Sequence, residues 1–292
     1  MVSVRIIRRK IRTVRNIRQI TDAMKRVAAA RLQRAQQRVA AGRPYAEKLA
    51  QALHRVGAAA GEVDHPLLKV REPESVCVVV VGSDRGLCGS YNGNLFRFAE
   101  RFIGGLEGDV RIVTVNRKAN DFFLKRQDRY NVIHTFEGLS DQSSAAEISE
   151  LSTFLRELYE TEEVDEVHLC YQQFVSAVSQ RPTAQKFLPF AAESHGDGDE
   201  GGDTESEYIF EPDPRTIMLE LIPMYVDTEI YHAILEAAAS EYGARMMAMT
   251  NATQSATDMI DDLTLTYNKV RQASITTELL EIVAGAEALV DK

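Results

Sequence analysis

The chain has 292 residues, 45% apolar and 26% charged, with a formal net charge of −9. These proportions are ordinary for a folded protein and exclude disorder throughout, and no apolar run reaches the roughly 18 residues needed to span a membrane as a helix. Three scattered cysteines, Cys77, Cys88 and Cys170, exclude a disulfide framework or zinc knuckle and fit a reducing, cytoplasmic compartment.

The first residues, MVSVRIIRRKIRTVRN, carry arginines without an apolar block, so neither a signal peptide nor a transit peptide is expected. Residues 1–48 hold 14 Lys and Arg against 2 acids, whereas the remainder holds 20 against 41. A basic arm on an acidic body implies an acidic partner for the arm: nucleic acid, an anionic membrane or an acidic protein surface. Val4, Ile7, Ile11, Val14, Ile17, Ile20, Met24 and Val27 step by three or four, and Ala28, Leu32, Ala35 and Val39 extend the stripe. That near-heptad spacing predicts a coiled-coil helix over residues 1–60. Gly42-Arg43-Pro44 should bend or weaken it.

A different period begins near residue 75. VCVVVVG (76–82) reads as a strand buried on both faces, followed by a helix over 92–105. VRIVTV (110–115) predicts a second strand and RKANDFFLKR a helix; NVIHTF (131–136) predicts a third strand, Ser144 to Tyr159 a helix and EVHLCYQQF (166–174) a fourth strand. Strands alternating with helices over 75–192 predict a mainly parallel α/β domain. Residues 193–207, acidic and glycine-rich, read as a flexible loop. The last segment, 208–292, is helical from Pro214 to Leu289, with Pro223 near its start and a seam at Ala256, Ile260, Leu263, Tyr267 and Val270, then Leu279, Ile282, Ala286 and Leu289. A helix over 224–289 would be roughly 100 Å long, whereas a globule of this chain length is only about 50 Å across. The long helix therefore needs a partner outside a globular body, and the N-terminal helix supplies one. The expected architecture is α/β: an antiparallel coiled coil of the terminal helices with an α/β domain inserted between them.

Four segments, ITDAMKRVAAARL (20–32), RPYAEKL (43–49), SDRGLCGSYN (83–92) and YNKVRQASITTELLEIVAGAEAL (267–289), resemble the gamma subunit of F-type ATP synthases, in order and spacing, across essentially the whole chain. The resemblance implies a Rossmann-like inserted domain and a non-catalytic central rotor shaft, coupling ion flow through a membrane c-ring to catalysis in an alpha-beta hexamer. It implies alpha, beta and epsilon subunits as partners, no cofactor, no nucleic acid, and peripheral attachment to the cytoplasmic side of a bacterial inner membrane. The resemblance places Met24 and Lys25 beside an acidic beta-subunit loop, and Arg245, Arg271, Gln272, Thr276 and Glu278 against the hexamer. It places Leu279 to Leu289, with Ile282, in an apolar bearing and Tyr208 and Glu211 at the foot against the ring.

Other chemistry finds little support. GSDRGLCG (82–89) sits between a strand and a helix, where phosphates bind, but it matches neither G-x-G-x-x-G nor the P-loop, lacking the lysine. A tight turn is expected instead. His54, His65, His134, His168, His195 and His232 have no metal-ligand spacing. Met246, Met247 and Met249 suit a coiled-coil seam or a contact with changing partners.

Overall fold

A computed structural model describes residues 4–60, 65–190 and 210–290. The acidic loop expected at 193–207 lies outside them. The elements in chain order are α1 (Val4–Ala60), a 3₁₀ turn at Pro66–Leu68, β1 (Ser75–Val81), α2 (Tyr91–Ile103), β2 (Asp109–Val115), α3 (Arg117–Leu124), β3 (Asn131–Phe136), α4 (Ala145–Glu160), β4 (Glu166–Phe174), β5 (Gln180–Leu188) and α5 (Pro214–Val290). The five strands form one sheet in the order β3-β2-β1-β4-β5, parallel except for the β4–β5 pair.

Two helix starts, those of α4 and α5, carry side-chain caps. Ser144 caps α4 in a reciprocal box with Glu147, accepting from its backbone N–H while the Glu147 carboxylate accepts from the Ser144 N–H at 2.7 Å. Those bonds hold the Glu147 carboxyl below its ordinary range. Asp213 accepts from the Thr216 N–H (3.1 Å) and hydroxyl (2.6 Å) just ahead of Pro214, so α5 begins with an acidic cap and a proline in its first turn. β5 was not anticipated: its QRPTAQKFL is polar and contains Pro182, which a strand tolerates only at a sheet edge.

The alternation within β1 sorts the core into two layers. Cys77, Val79 and Val81 face a cluster that includes Leu151 and Leu155 of α4, Leu49 and Leu53 of α1, and Ile222 and Ile230 of α5. Val76, Val78 and Val80 face Leu95 and Phe96 of α2 and Phe123 of α3. A strand covered on both sides is the continuous β-branched run read from the sequence.

The chain divides into two compact units, one of Met1–Ala28 with Met246–Lys292 and the other of Ala29–Arg245. In the first, Arg8 donates to the Tyr267 hydroxyl (2.7 Å), Thr253 donates to the Thr21 hydroxyl (2.8 Å), and Val14 packs on Ala256 and Ile260. As residue numbers rise in α1 they fall in α5, so the pair is antiparallel. The second unit keeps that sense: the Arg31 guanidinium lies over the Tyr242 ring and Gly42 faces the His232 ring.

The seam of α1 differs from the expected one. Ile7, Val14, Thr21, Ala28, Ala35, Leu49 and Val56 are buried at a strict seven-residue spacing, with half-buried Gly42 completing the series. Ile17, Ile20 and Val27, assigned to the seam by their apolarity, are 47%, 59% and 55% exposed. Three- and four-residue steps drift around a helix, and the drift placed Ile20 where Thr21 belongs. The break expected at Gly42-Arg43-Pro44 is absent: α1 runs through Pro44 without interruption. Pro44 is exposed, and burial of Leu49, Leu53 and Val56 beyond it offsets the lost hydrogen bond.

Candidate functional site

The carboxyl ends of the parallel strands are where α/β sheets usually hold ligands. Here the β1–α2 loop closes on itself. The Asn92 side chain accepts from the Ser83 N–H (3.2 Å) and donates to the Ser83 hydroxyl (2.7 Å) and the Cys88 sulfur (3.3 Å). A methyl group at Gly82 would sit 2.9 Å from the Ala119 nitrogen, so the glycine serves the close approach of α3. The loop is therefore a cross-tied turn. Burial pushes the Cys88 thiol above its ordinary value, which leaves it a packed, weakly reactive thiol.

α5 covers this edge and leaves a small cavity of about 150 Å³ between Gly82, Asn116 and Ser140 on one side and Ala237, Glu241 and Tyr242 on the other. Tyr91 donates to the Ala237 carbonyl (3.1 Å). Arg245 donates to the carbonyls of Arg85 (3.0 Å) and Gly86 (3.3 Å) and pairs with Glu241 at 2.6 Å. Burial pushes the Glu241 carboxyl up, opposed by that guanidinium. Asp141, in the loop after β3, accepts from Tyr242 at 2.7 Å and from Arg38 of α1 at 3.2 Å. Arg245, expected as a partner contact, is 9% exposed and engaged within the chain. The loop it holds presents Leu87, which has φ +62 and is 64% exposed.

The other expected contact residues lie on helix surfaces. Met24 and Lys25 are half-buried, and the Lys25 ammonium is 2.9 Å from Asp22 of the same helix, which Arg26 also approaches. Ile17, Ile20, Met24 and Val27 share one face of α1, three of them exposed, so the residues absent from the seam form an apolar stripe on a helix that also carries exposed Arg9, Arg12 and Arg15. A seam search alone missed that stripe; a second three-and-four pattern, offset from the heptad, was its signal.

Arg271, Gln272, Thr276, Glu278, Leu279 and Ile282 are exposed toward the end of α5, where Leu280 and Val283 are exposed as well. Arg271 lies over the Tyr267 ring, Thr276 donates to the Gln272 carbonyl and Ser274 donates to Glu278. Leu289 belongs to α5 by its backbone. Glu211 is exposed just before α5, and Tyr208 lies outside the described residues. The described residues among these thus lie along two helices and in the segment before α5. Among the described residues no group of three or more His, Cys, Asp or Glu side chains could hold a metal, and no helix is long and apolar enough to cross a membrane.

A family model described as ATP synthase matches residues 3–289. The ATP synthase gamma chains of Desulfitobacterium hafniense and Heliobacterium modesticaldum are 46% and 44% identical to this chain, and that of Pelotomaculum thermopropionicum 43%, each match covering 99% of this chain and 100% of the relative. A chain from the rotor of the Euglena gracilis mitochondrial ATP synthase is similar in fold, with a TM-score of 0.64 at 20% identity, covering 93% of this chain and 98% of that one. A chain from the OSCP/F1/c-ring assembly of the same enzyme gives 0.68 at 23% identity, covering 98% and 94%.

Proposed function

Since the chain belongs to the ATP synthase gamma-chain family, we propose that it is the non-catalytic central shaft of a rotary ATP synthase, turning inside an alpha-beta hexamer and bearing on a membrane c-ring. The observation that carries this reading is the agreement with gamma chains along 99% of the sequence at 43–46% identity. The geometry is in keeping with it: a long α1 whose buried positions recur every seven residues, a sheet whose ligand edge is covered by the chain's own helix, and exposed apolar and basic residues along α1 and the end of α5.

An asymmetric shaft meets three equivalent surfaces of a ring in three different ways. Each catalytic subunit is thereby biased to a different conformation, and rotation permutes the biases; only contacts that differ between conformations can do this. In this reading the basic face of α1, with Met24, Lys25 and the apolar stripe, turns past acidic beta-subunit loops. Arg271, Gln272, Thr276 and Glu278 make the hexamer contact from α5, and Leu279 to Leu289 with Ile282 form an apolar bearing. Arg245 acts through the loop it holds, presenting Leu87 to the hexamer. Tyr208 and Glu211 lie at the foot, with the epsilon subunit and the ring. Attachment to the cytoplasmic side of the inner membrane, and the part in ion transport, come through the complex.

Affinity isolation of the tagged chain from detergent-solubilised membranes tests the reading. Alpha, beta and epsilon subunits and the c-ring should co-purify with ATPase activity, and the chain alone should hydrolyse no ATP. Turnover by the isolated chain, or a partner set without the hexamer, would overturn it.

A further inference from the structure

A shaft transmits torque only as well as its two helices are held against twist, and the loop between β3 and α4 holds both. Asp141 in that loop is 4% exposed. One carboxylate oxygen accepts from the Tyr242 hydroxyl of α5 at 2.7 Å and the other from Arg38 of α1 at 3.2 Å. The loop is itself fixed to the sheet. Asn116, at the end of β2, donates through its side-chain amide to the carbonyls of Leu139 (2.9 Å) and Gly82 (3.1 Å), and its backbone N–H donates to Phe136 (2.7 Å). Within the loop, the Ser140 N–H donates to the Ser143 hydroxyl and the Gln142 N–H to the Ser140 hydroxyl. The carboxylate is therefore carried on a support tied to β1 and β2.

From this arrangement we propose that Asp141 is a positioning residue through which the sheet grips both shaft helices and resists their rotation against it. Arg38 and Tyr242 bond different oxygens of the carboxylate from different helices, so a turn of the pair against the sheet lengthens at least one of the two bonds. One carboxylate then opposes rotation of either sense. The ties from Tyr91 and Arg245 reach α5 alone. A buried acceptor serving two donors is costly to leave half-satisfied, so the grip gives way as a unit.

This inference rests on the shaft reading, and its test separates the two. The assembled enzyme is stalled with a non-hydrolysable ATP analogue, and a nanorod is attached to the α/β unit through an introduced cysteine at exposed Asp128. All three native cysteines of the chain are buried, so the chain labels selectively at the new position before it is assembled with its partners. The readout is the angular variance of the rod, a measure of stiffness that the amount of assembled complex does not alter. Polar ties from the α/β unit to the shaft helices also run from Ser152 to Asp227 and from Gln185 to Glu229, so with Tyr91, Arg245 and Asp141 there are five among the described residues, and loss of one should raise the variance by up to about 1.25-fold. Asp141→Ala should show that rise. Tyr242→Phe and Arg38→Met, which each remove one donor with little change in packing, should show smaller ones and keep the test open if Asp141→Ala fails to fold. A variance unchanged in all folded variants overturns the proposal while leaving the shaft intact. Failure of the wild-type chain to assemble with a hexamer overturns the shaft reading instead.

Discussion

Replacing Gly82 by alanine adds a single methyl group where the end of β1 closely approaches α3. That carbon would lie 2.9 Å from the Ala119 nitrogen, 3.0 Å from its Cβ and 3.4 Å from its Cα. Carbon contacts are comfortable at about 3.5–4.0 Å, so strand and helix must part by about 0.5–1 Å. Neither side is free to move. Gly82 donates to the Val115 carbonyl (3.0 Å) and accepts from Asn116 (3.1 Å), while α3 is tied to the loop through Lys118 N–H to the Ser83 carbonyl (2.9 Å). Overpacking of this kind costs about 1–3 kcal/mol, and a broken hydrogen bond adds about 1 kcal/mol. The stiffer unfolded chain returns about 0.4–1 kcal/mol. The expected net loss is about 1–3.5 kcal/mol, read from urea denaturation followed by circular dichroism at constant m. Gly86→Ala and Gly93→Ala are the controls, since nothing lies within 4 Å of either added methyl. Gly93→Ala in α2 should raise stability by about 0.5–1 kcal/mol. If Gly82→Ala is as stable as the wild type while the controls behave as expected, the close-approach argument is refuted.

Three further outcomes are expected. His65 is buried, its pKa is held below the ordinary 6.5 by desolvation, and its Nδ1 accepts from the Leu67 N–H at 3.1 Å, which only an unprotonated nitrogen can do. The unfolded ring takes up a proton first, so this contribution is present above about pH 6.5 and lost as pH falls through the depressed native pKa; His65→Asn, which keeps an acceptor for that N–H, should flatten the decline between pH 7.5 and 5.5, and equal slopes would count against it. Ile282 and Glu281 are both exposed, so Ile282→Asp and Glu281→Ala should leave the isolated chain's stability within about 0.5 kcal/mol; reconstitution with the hexamer should be impaired by the first alone, and equal yields would remove the apolar bearing. Met24→Lys adds an ammonium where Asp22 already serves Lys25 and Arg26; beside the acidic beta-subunit loop of the proposed reading, a charged hydrogen bond of about 1.5–3 kcal/mol would favour one rotary position, so inverted vesicles should show fewer ions pumped per ATP with assembly intact, and an unchanged ratio would refute it.

The buried runs of β1 and β2 and the helical periods of α1 and α5 are local signals, and each led to the observed element. β5 was illegible because an edge strand needs apolar residues on only part of one face, and Gln180–Leu188 concentrates its buried residues at the end, in Phe187 and Leu188. The seam of α1 was half legible: two apolar stripes interleave on one helix, and only the partner decides which is covered. Thr21 entered the seam by pairing with Thr253, a contact separated by 232 residues. Gly42-Arg43-Pro44 misled because propensity is a weak term beside the packing of Leu49 and Leu53. The engagement of Arg245 was hidden for the same reason as the Asp141 grip: both join residues over a hundred positions apart.

The seven-residue spacing of buried positions in α1 has a mechanical corollary. A straight α-helix repeats every 3.6 residues, so a seam recurring every 3.5 winds left-handed around its partner. Within each unit the two helices are thus laid like the strands of a rope. Twisting a rope along its lay tightens it, and here it would press the small, buried Ala28 and Ala35 positions more firmly against their neighbours. Twisting against the lay opens the same contacts. Load in the two directions meets two different compliances, so a machine built on this pair would be stiffer when driven one way than the other.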